Sequence, residues 1–273
     1  MKKLLFFALA ALLALSLITA CQDDDNNIGG EDTPTELHAA FAEFDSDNVT
    51  IMLNGNEVDI ESNGLPNHTS PYWSNTTARS ATDPRGMTLT TPAAASDHPL
   101  FVEPTVTSYE QMAPGNIDDF NGSYSLTVPA LPTLAGSSSA TGLGAIGIAI
   151  SGAMIYNDEE GPNVPLDDAV GSLDYTAAHT GPQSYHYHLE PKAWSNDDDK
   201  LIGIISDGFF LYGRRCNLTG SYPTDLDASG GHTHTTQHST GDEYHYHIQN
   251  ELYLGQFYIL FPGDYQGTPN AIN

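Results

Sequence analysis

The chain has 273 residues, with eight basic residues against 35 acidic ones and only two cysteines. A net charge of −27 repels nucleic acid, so no nucleic-acid partner is expected; such a surface serves solubility or attracts cations. The length is ample for one large domain or two small ones.

The N-terminus runs Lys2-Lys3, an apolar stretch from Leu4 to Ile18, then Thr19-Ala20-Cys21. Charged, greasy, small is the order of an export signal, so residues 1–20 are expected to be a signal peptide outside the fold. Ile18-Thr19-Ala20-Cys21 resembles the lipobox of bacterial lipoproteins, which implies cleavage before Cys21 and acylation of its thiol. Two or more acyl chains, at about 0.8 kcal/mol per buried methylene, anchor a protein to a membrane without a spanning helix. Gln22 follows where an Asp would favour inner-membrane retention, and Gln22-Asp23-Asp24-Asp25 resembles acidic surface-export signals. An outer-membrane lipid anchor is expected, with the acidic, aromatic-free residues 21–36 as its tether and residues 37–273 as the folded domain. Loss of Lys2 and Lys3 leaves six basic residues and a net charge of −29. With Cys21 lipidated only Cys216 remains, so no disulfide forms within the chain.

Three segments then share one pattern, an apolar strand, a turn dipeptide ending in Gly and a second apolar strand. They are Thr50 to Ile60 around Asn54-Gly55, Gly147 to Asn157 around Ser151-Gly152, and Gly203 to Gly213 around Asp207-Gly208. Such dipeptides adopt the positive φ that tight hairpins need, and no stretch after the leader keeps a long 3.6-residue apolar period. The fold class is therefore mostly β, with antiparallel hairpins in a sandwich- or barrel-like domain. The second and third hairpins align at an offset of 56, and Tyr185-His186-Tyr187-His188 recurs as Tyr244-His245-Tyr246-His247 at an offset of 59. His179 recurs as His238 at that same offset. Residues 144–198 and 200–260 are thus read as two diverged copies of one unit.

Alternate side chains of a strand share a face, so His186 and His188 point one way, about 6.6 Å apart at Cα, with Tyr185 and Tyr187 opposite. His245 and His247 offer the same pair. Imidazoles at this spacing converge on an ion bound at about 2.0–2.1 Å, and copies that face each other would bring four nitrogens to one site. His179, His238, His232 and His234 are further candidate ligands. An all-imidazole site suits Zn, Cu, Ni or Fe, with Cu or Zn the expected ion, and rules out Ca or Mg as its main occupant. The competing reading is a structural Tyr–His network with ring nitrogens bonded to backbone carbonyls.

Asp225-x-Asp227-x-Ser229-Gly230 imitates the start of a calcium loop, but Thr236 stands where the bidentate carboxylate belongs, so a turn is expected. Asp207 is read as a turn residue or as a partner orienting a ligand histidine. Cys216 is either a soft copper ligand or a buried inert thiol. His68 follows a turn and is far from the cluster in sequence, so only the fold decides whether it reaches the site.

These residues resemble the YHYH family, named for its repeated tetrad. The likeness runs through Ser62-Asn63-Gly64-Leu65-Pro66-Asn67-His68, the Gly147 to Tyr156 hairpin, both tetrads, Ser206-Asp207-Gly208-Phe209 through Gly213, and Leu226-Asp227 through His232. The resemblance implies an exported protein and supplies no chemistry. It also implies that two cysteines of other members, here matched by Ala228 or Ser229 and by Asp264, form a bridge that this chain lacks.

Three functions remain open at this level. The first is a surface lipoprotein that binds a transition metal through paired His-x-His strands. The second is a metal-free module for a glycan or protein partner. The third is a metal-dependent hydrolase or oxidase, for which Asp207, Asp227 and Glu243 are candidate acids or bases, although no nucleophile elbow, His-Glu-x-x-His or phosphate loop is found.

Overall fold

A computed structural model describes residues 34–68, 121–169, 173–174, 176–181, 183–255 and 257–273. The signal segment, Cys21 and most of the tether lie outside them. Three strands, β1 (Val49–Asn54), β2 (Glu57–Ser62) and β3 (Tyr124–Pro129), make an antiparallel sheet in the order β1-β2-β3. In β2 and β3 alternate residues are buried, as expected of strands with one face on a core. The predicted Asn54-Gly55 hairpin is present, with Asn54 opposite Glu57 and Gly55 at φ 64°.

Among the described residues the larger sheet has eight strands. In chain order these include β4 (Gly147–Ala149), β5 (Met154–Ile155), β8 (Ala178–Gly181), β9 (Ser184–Tyr187), β10 (Leu201–Ile205), β11 (Phe210–Tyr212), β12 (Gly231–His234) and β13 (Glu243–His247). A separate small pair, β6 (Glu159–Gly161) with β7 (Val164–Pro165), follows β5. The sheet order is β12-β13-β11-β10-β4-β5-β9-β8. It reads alike from either end. The predicted second and third hairpins, β4–β5 and β10–β11, sit at the centre and join through antiparallel β4 and β10. Each tetrad strand then lies parallel to the outer strand of a hairpin, β9 beside β5 and β13 beside β11. A histidine-bearing strand, β8 or β12, closes each edge antiparallel to its tetrad strand. The central contact is close because Gly147 and Gly203 lack side chains: an added Cβ would meet Ile204 O at 2.5 Å or Ile148 O at 2.3 Å.

Both faces of this sheet are covered. On one face Tyr185, Tyr187 and Tyr246 pack with Ile155, Ile202, Leu211 and the C-terminal Leu260, Phe261 and Tyr265. On the other, Ile148, Met154, Ile204, Phe210 and Tyr212 pack against Val58, Ile60, Leu126 and Val128 of the three-stranded sheet. The arrangement is sandwich-like. Directly paired residues of neighbouring strands point to the same side, so the pairs Met154–His186 and Tyr212–His247 put the tetrad histidines on the face that the smaller sheet covers. The positions matched to the absent cysteines are adjacent: Ser229 Oγ accepts hydrogen bonds from Asp264 N at 3.2 Å and Gln266 Nε2 at 2.8 Å.

Candidate metal centres

The strand pairing builds two separate histidine clusters, not one. In β8–β9 the register sets His179 opposite His186, and in β12–β13 it sets His232 opposite His245. Adding the second histidine of each tetrad gives His179, His186 and His188 at one end of the sheet and His232, His245 and His247 at the other. β9 and β13 are five strand spacings apart in the sheet order, roughly 24 Å at about 4.8 Å per strand. The tetrads therefore cannot share one ion, and the four nitrogens expected to converge at one point fall instead into two three-imidazole clusters. The upstream partner of the second tetrad is His232, not His238. His238 Nδ1 instead pairs with Tyr212 Oη at 3.0 Å, and its Nε2 lies 3.6 Å from Glu43.

In the second cluster every imidazole is oriented from behind. His245 Nδ1 donates to Glu243 O at 3.0 Å, His247 Nδ1 to Gly213 O at 2.7 Å, and His232 Nδ1 to Asp225 Oδ1 at 3.0 Å. All three acceptors are oxygens without protons, which assigns the proton of each neutral ring to Nδ1 and leaves a bare lone pair on Nε2. Those three Nε2 atoms form a triangle with sides of 3.2, 3.1 and 3.2 Å. Lone pairs at this separation repel unless a cation lies among them. Burial pushes His245 down to about 4 and His247 down to about 3, so neither supplies the missing positive charge at neutral pH.

The first cluster has the same ring geometry. Its centroids are 4.7, 5.2 and 4.8 Å apart, against 4.8, 5.0 and 4.9 Å in the second. His188 Nδ1 donates to Asn157 O at 2.7 Å, and His186 Nδ1 pairs with Ser184 Oγ at 3.1 Å. Burial, reinforced by the charge of neighbouring histidines, holds His188 down to about 4 and His186 well below the usual imidazole range. Glu160, on β6, brings Oε1 to 3.2 Å from His179 Nε2 and 3.3 Å from His188 Nε2. Burial works to raise its carboxyl, yet the hydrogen bond and charge of His179, with the charge of His188, leave it lowered.

The remaining candidates lie outside the two three-imidazole clusters. His234 and Cys216 flank His232: Cys216 Sγ is 3.7 Å from His234 Nδ1, and His234 Nε2 is 3.3 Å from Asp225 Oδ2. Asp207 does not orient a histidine. It lies on the tyrosine face, where it accepts from Tyr246 Oη at 2.6 Å and from Gly267 N at 3.0 Å. His68 also lies on that face, paired with Tyr187 Oη at 2.5 Å. Asp227 accepts from Tyr244 Oη at 2.7 Å, and the Glu243 carboxylate holds His38 and Thr236, each at 2.9 Å. The three candidate carboxylates are thus held by partners other than the cluster imidazoles. Asp225-x-Asp227 is a turn, as expected: Asp227 Oδ1 caps Ser229 N and Gly231 N.

Sequence reasoning passed over Glu160 and Asp225 as ligand partners. A signal for the true upstream histidine was available, because Leu173-Asp174 precedes His179 with the same spacing as Leu226-Asp227 precedes His232. Asp174 then takes the Tyr185 hydroxyl as Asp227 takes that of Tyr244.

A family model described as YHYH protein matches residues 125–224. The match takes in β3, the two central hairpins, the first histidine cluster, Glu160 and Cys216, and it ends before Asp225, His232 and the second tetrad. Neither curated proteins nor solved structures give a match to the chain.

Proposed function

From a chain that carries a YHYH domain at residues 125–224, we propose a surface lipoprotein that binds two transition-metal ions, one in each three-histidine cluster. The observation that carries this reading is the Nε2 triangle of His232, His245 and His247. A tetrahedral ion with bonds of about 2.0–2.1 Å holds its ligands about 3.3–3.4 Å apart, within about 0.3 Å of the separations found here. Outer partners on every Nδ1 fix the tautomer that a metal needs. A purely structural Tyr–His network has no use for three lone pairs aimed at one point.

Zinc and copper fit the donors. Copper binds most divalent-metal sites tightest, so affinity alone does not name the ion used in the cell. The two halves are read as copies of one ion-holding unit, on the grounds of the mirrored strand order and the matching ring geometry. Lipidation at Cys21 and outer-membrane display rest on the N-terminal sequence; they place the sites at a membrane surface for capture or delivery of metal.

The test is elemental analysis of protein purified without a histidine tag, after loading with zinc or copper and removal of excess. Two ions per chain are expected. Replacing His186 and His188 with alanine removes one, and replacing His245 and His247 removes the other. No uptake, with an unchanged thermal midpoint on titration, overturns the reading in favour of a metal-free binding module.

A further inference from the structure

Glu160 stands against the first histidine cluster in a way that hydrogen bonding does not account for. His188 Nδ1 donates to Asn157 O at 2.7 Å, so the neutral ring carries a bare lone pair on Nε2. That atom is buried and, among the described residues, has no hydrogen-bond partner. It nevertheless lies 3.3 Å from Glu160 Oε1, lone pair against carboxylate, and the same oxygen is 3.2 Å from His179 Nε2. A hydrogen bond from His179 explains the second contact and leaves the first unexplained. Two electron-rich atoms this close, shielded from water, repel unless a cation lies between them. Both separations come within about 0.2 Å of the ligand-to-ligand edge, about 3.3–3.4 Å, around a tetrahedral ion bound at about 2.0–2.1 Å.

The chain delivers this carboxylate through a local irregularity. Asn157, whose carbonyl orients His188, also accepts from Glu159 N through Oδ1 at 3.2 Å, at the start of β6. Glu159 then pairs with Pro165 and Gly161 with Val164, which leaves Glu160 as the extra residue of a bulge. A bulge re-aims a side chain out of the regular strand alternation, here onto the imidazoles. We infer that Glu160 is the fourth ligand of the first site, which holds a divalent transition-metal ion in a closed shell of three imidazole nitrogens and one carboxylate oxygen. This rests on the metal-binding reading above, and on His179, His186 and His188 as the other three donors. Glu160 binds as its carboxylate and His188 through a lone pair that is already bare, so at these two ligands no bond to hydrogen breaks. One negative charge among the donors offsets part of the ion's own, which three neutral rings leave whole. The Glu160 side chain is 27% exposed and that of His188 1%, so the carboxylate is the ligand through which solvent and chelators reach the ion.

A crystal structure of the zinc-loaded protein, purified without a histidine tag, tests this directly. Zinc is expected in the first cluster with a Glu160 carboxylate oxygen about 2.0–2.2 Å away. In solution, Glu160→Ala should weaken one of two zinc equivalents by more than about 100-fold, beyond the 10- to 100-fold typical of losing a partner behind a ligand, and leave the other unchanged. Formate, a carboxylate small enough to fill the vacated position, should restore part of that affinity, which it would not do for a residue that only shapes the loop. The wild-type structure is decisive if the variant folds poorly. Zinc held by the three imidazoles with water in place of Glu160, or an unchanged pair of affinities in Glu160→Ala, overturns the assignment of Glu160 while leaving the metal-binding reading intact; no zinc in either cluster overturns both.

Discussion

The two histidine clusters are alike in their rings and unlike in their surroundings. In the first, Tyr156 stacks flat on His186 with centroids 3.7 Å apart at 14°, and a carboxylate lies over the nitrogens. In the second, Tyr212 meets His245 edge-on at 5.3 Å, and the neighbours are a thiol, His234 and the Asp225 carboxylate. Strand pairing sets the shared part, since a cross-strand histidine and an i, i+2 pair on one face converge wherever this two-strand pattern forms. The differing part comes from loops, which carry side chains without constraining the sheet.

The comparison breaks most visibly at the ligands. His245→Ala should release the ion of the second cluster and leave the first loaded, because sites this far apart with no shared partner act independently. Asp225→Asn, which weakens the bond behind His232 together with the contact to His234, should lower affinity at the second site by about 10- to 100-fold and leave the first unchanged. Isothermal titration of the two variants checks both; loss of both ions from either variant would mean that the clusters are coupled.

Acid separates the clusters next. In the folded, ion-free chain His188 and His245 lie at about 4 and His247 at about 3, lowered chiefly by burial, against about 6.5 when unfolded. The unfolded chain therefore binds more protons in that interval, and stability rises with pH there. The ion-free protein should be fully stable above about pH 6.5 and lose stability as pH falls toward 4 and then 3. His247→Asn should flatten this dependence more than His188→Asn, as read from denaturant midpoints across pH.

A smaller effect sharpens the comparison on the tyrosine face. Tyr185 donates to Asp174, which is wholly buried, whereas the Tyr244–Asp227 bond is exposed. Tyr185→Phe leaves a buried carboxylate with one donor fewer and should cost about 2 kcal/mol; Tyr244→Phe should cost under about 1 kcal/mol. Equal costs in urea unfolding would show that the two turns are equally shielded. The smallest effect lies at Ala177, which holds φ 62° where the matching residue is Gly230 at 84°. Ala177→Gly removes a left-handed conformation from a residue with a Cβ and should raise stability by about 0.5 kcal/mol after the added chain entropy, read from the same unfolding curves.

Much of this was legible in the chain. The three hairpins announce themselves through Asn-Gly, Ser-Gly and Asp-Gly between apolar runs, and the doubled tetrad places four histidines on strands with their tyrosines opposite. What the pattern did not reveal was pairing between strands distant in sequence. An offset of 59 matched His179 to His238, because the tetrads recur at that spacing; the β8–β9 and β12–β13 registers instead match His179 to His232, since the loop between histidine strand and tetrad is longer in the second half. One site or two likewise depended on sheet order, which no local signal encodes. Glu160 and Asp225 looked like members of acidic loops in a chain rich in such residues, and only folding brought them to the imidazoles.

Among the described residues the sheet ends in β8 and β12, each four residues long and each pairing along one side. Open edges are where sheets fray and where stray strands of other molecules attach. Each edge strand supplies one histidine, and its neighbour supplies two, so an ion in either cluster fastens an outermost strand to the next one in. Loading would thus act as a rivet at both margins: backbone amides of β8 and β12 exchange slowly with the ions in place, and stripping them leaves two loosened borders on a molecule whose middle stays shut.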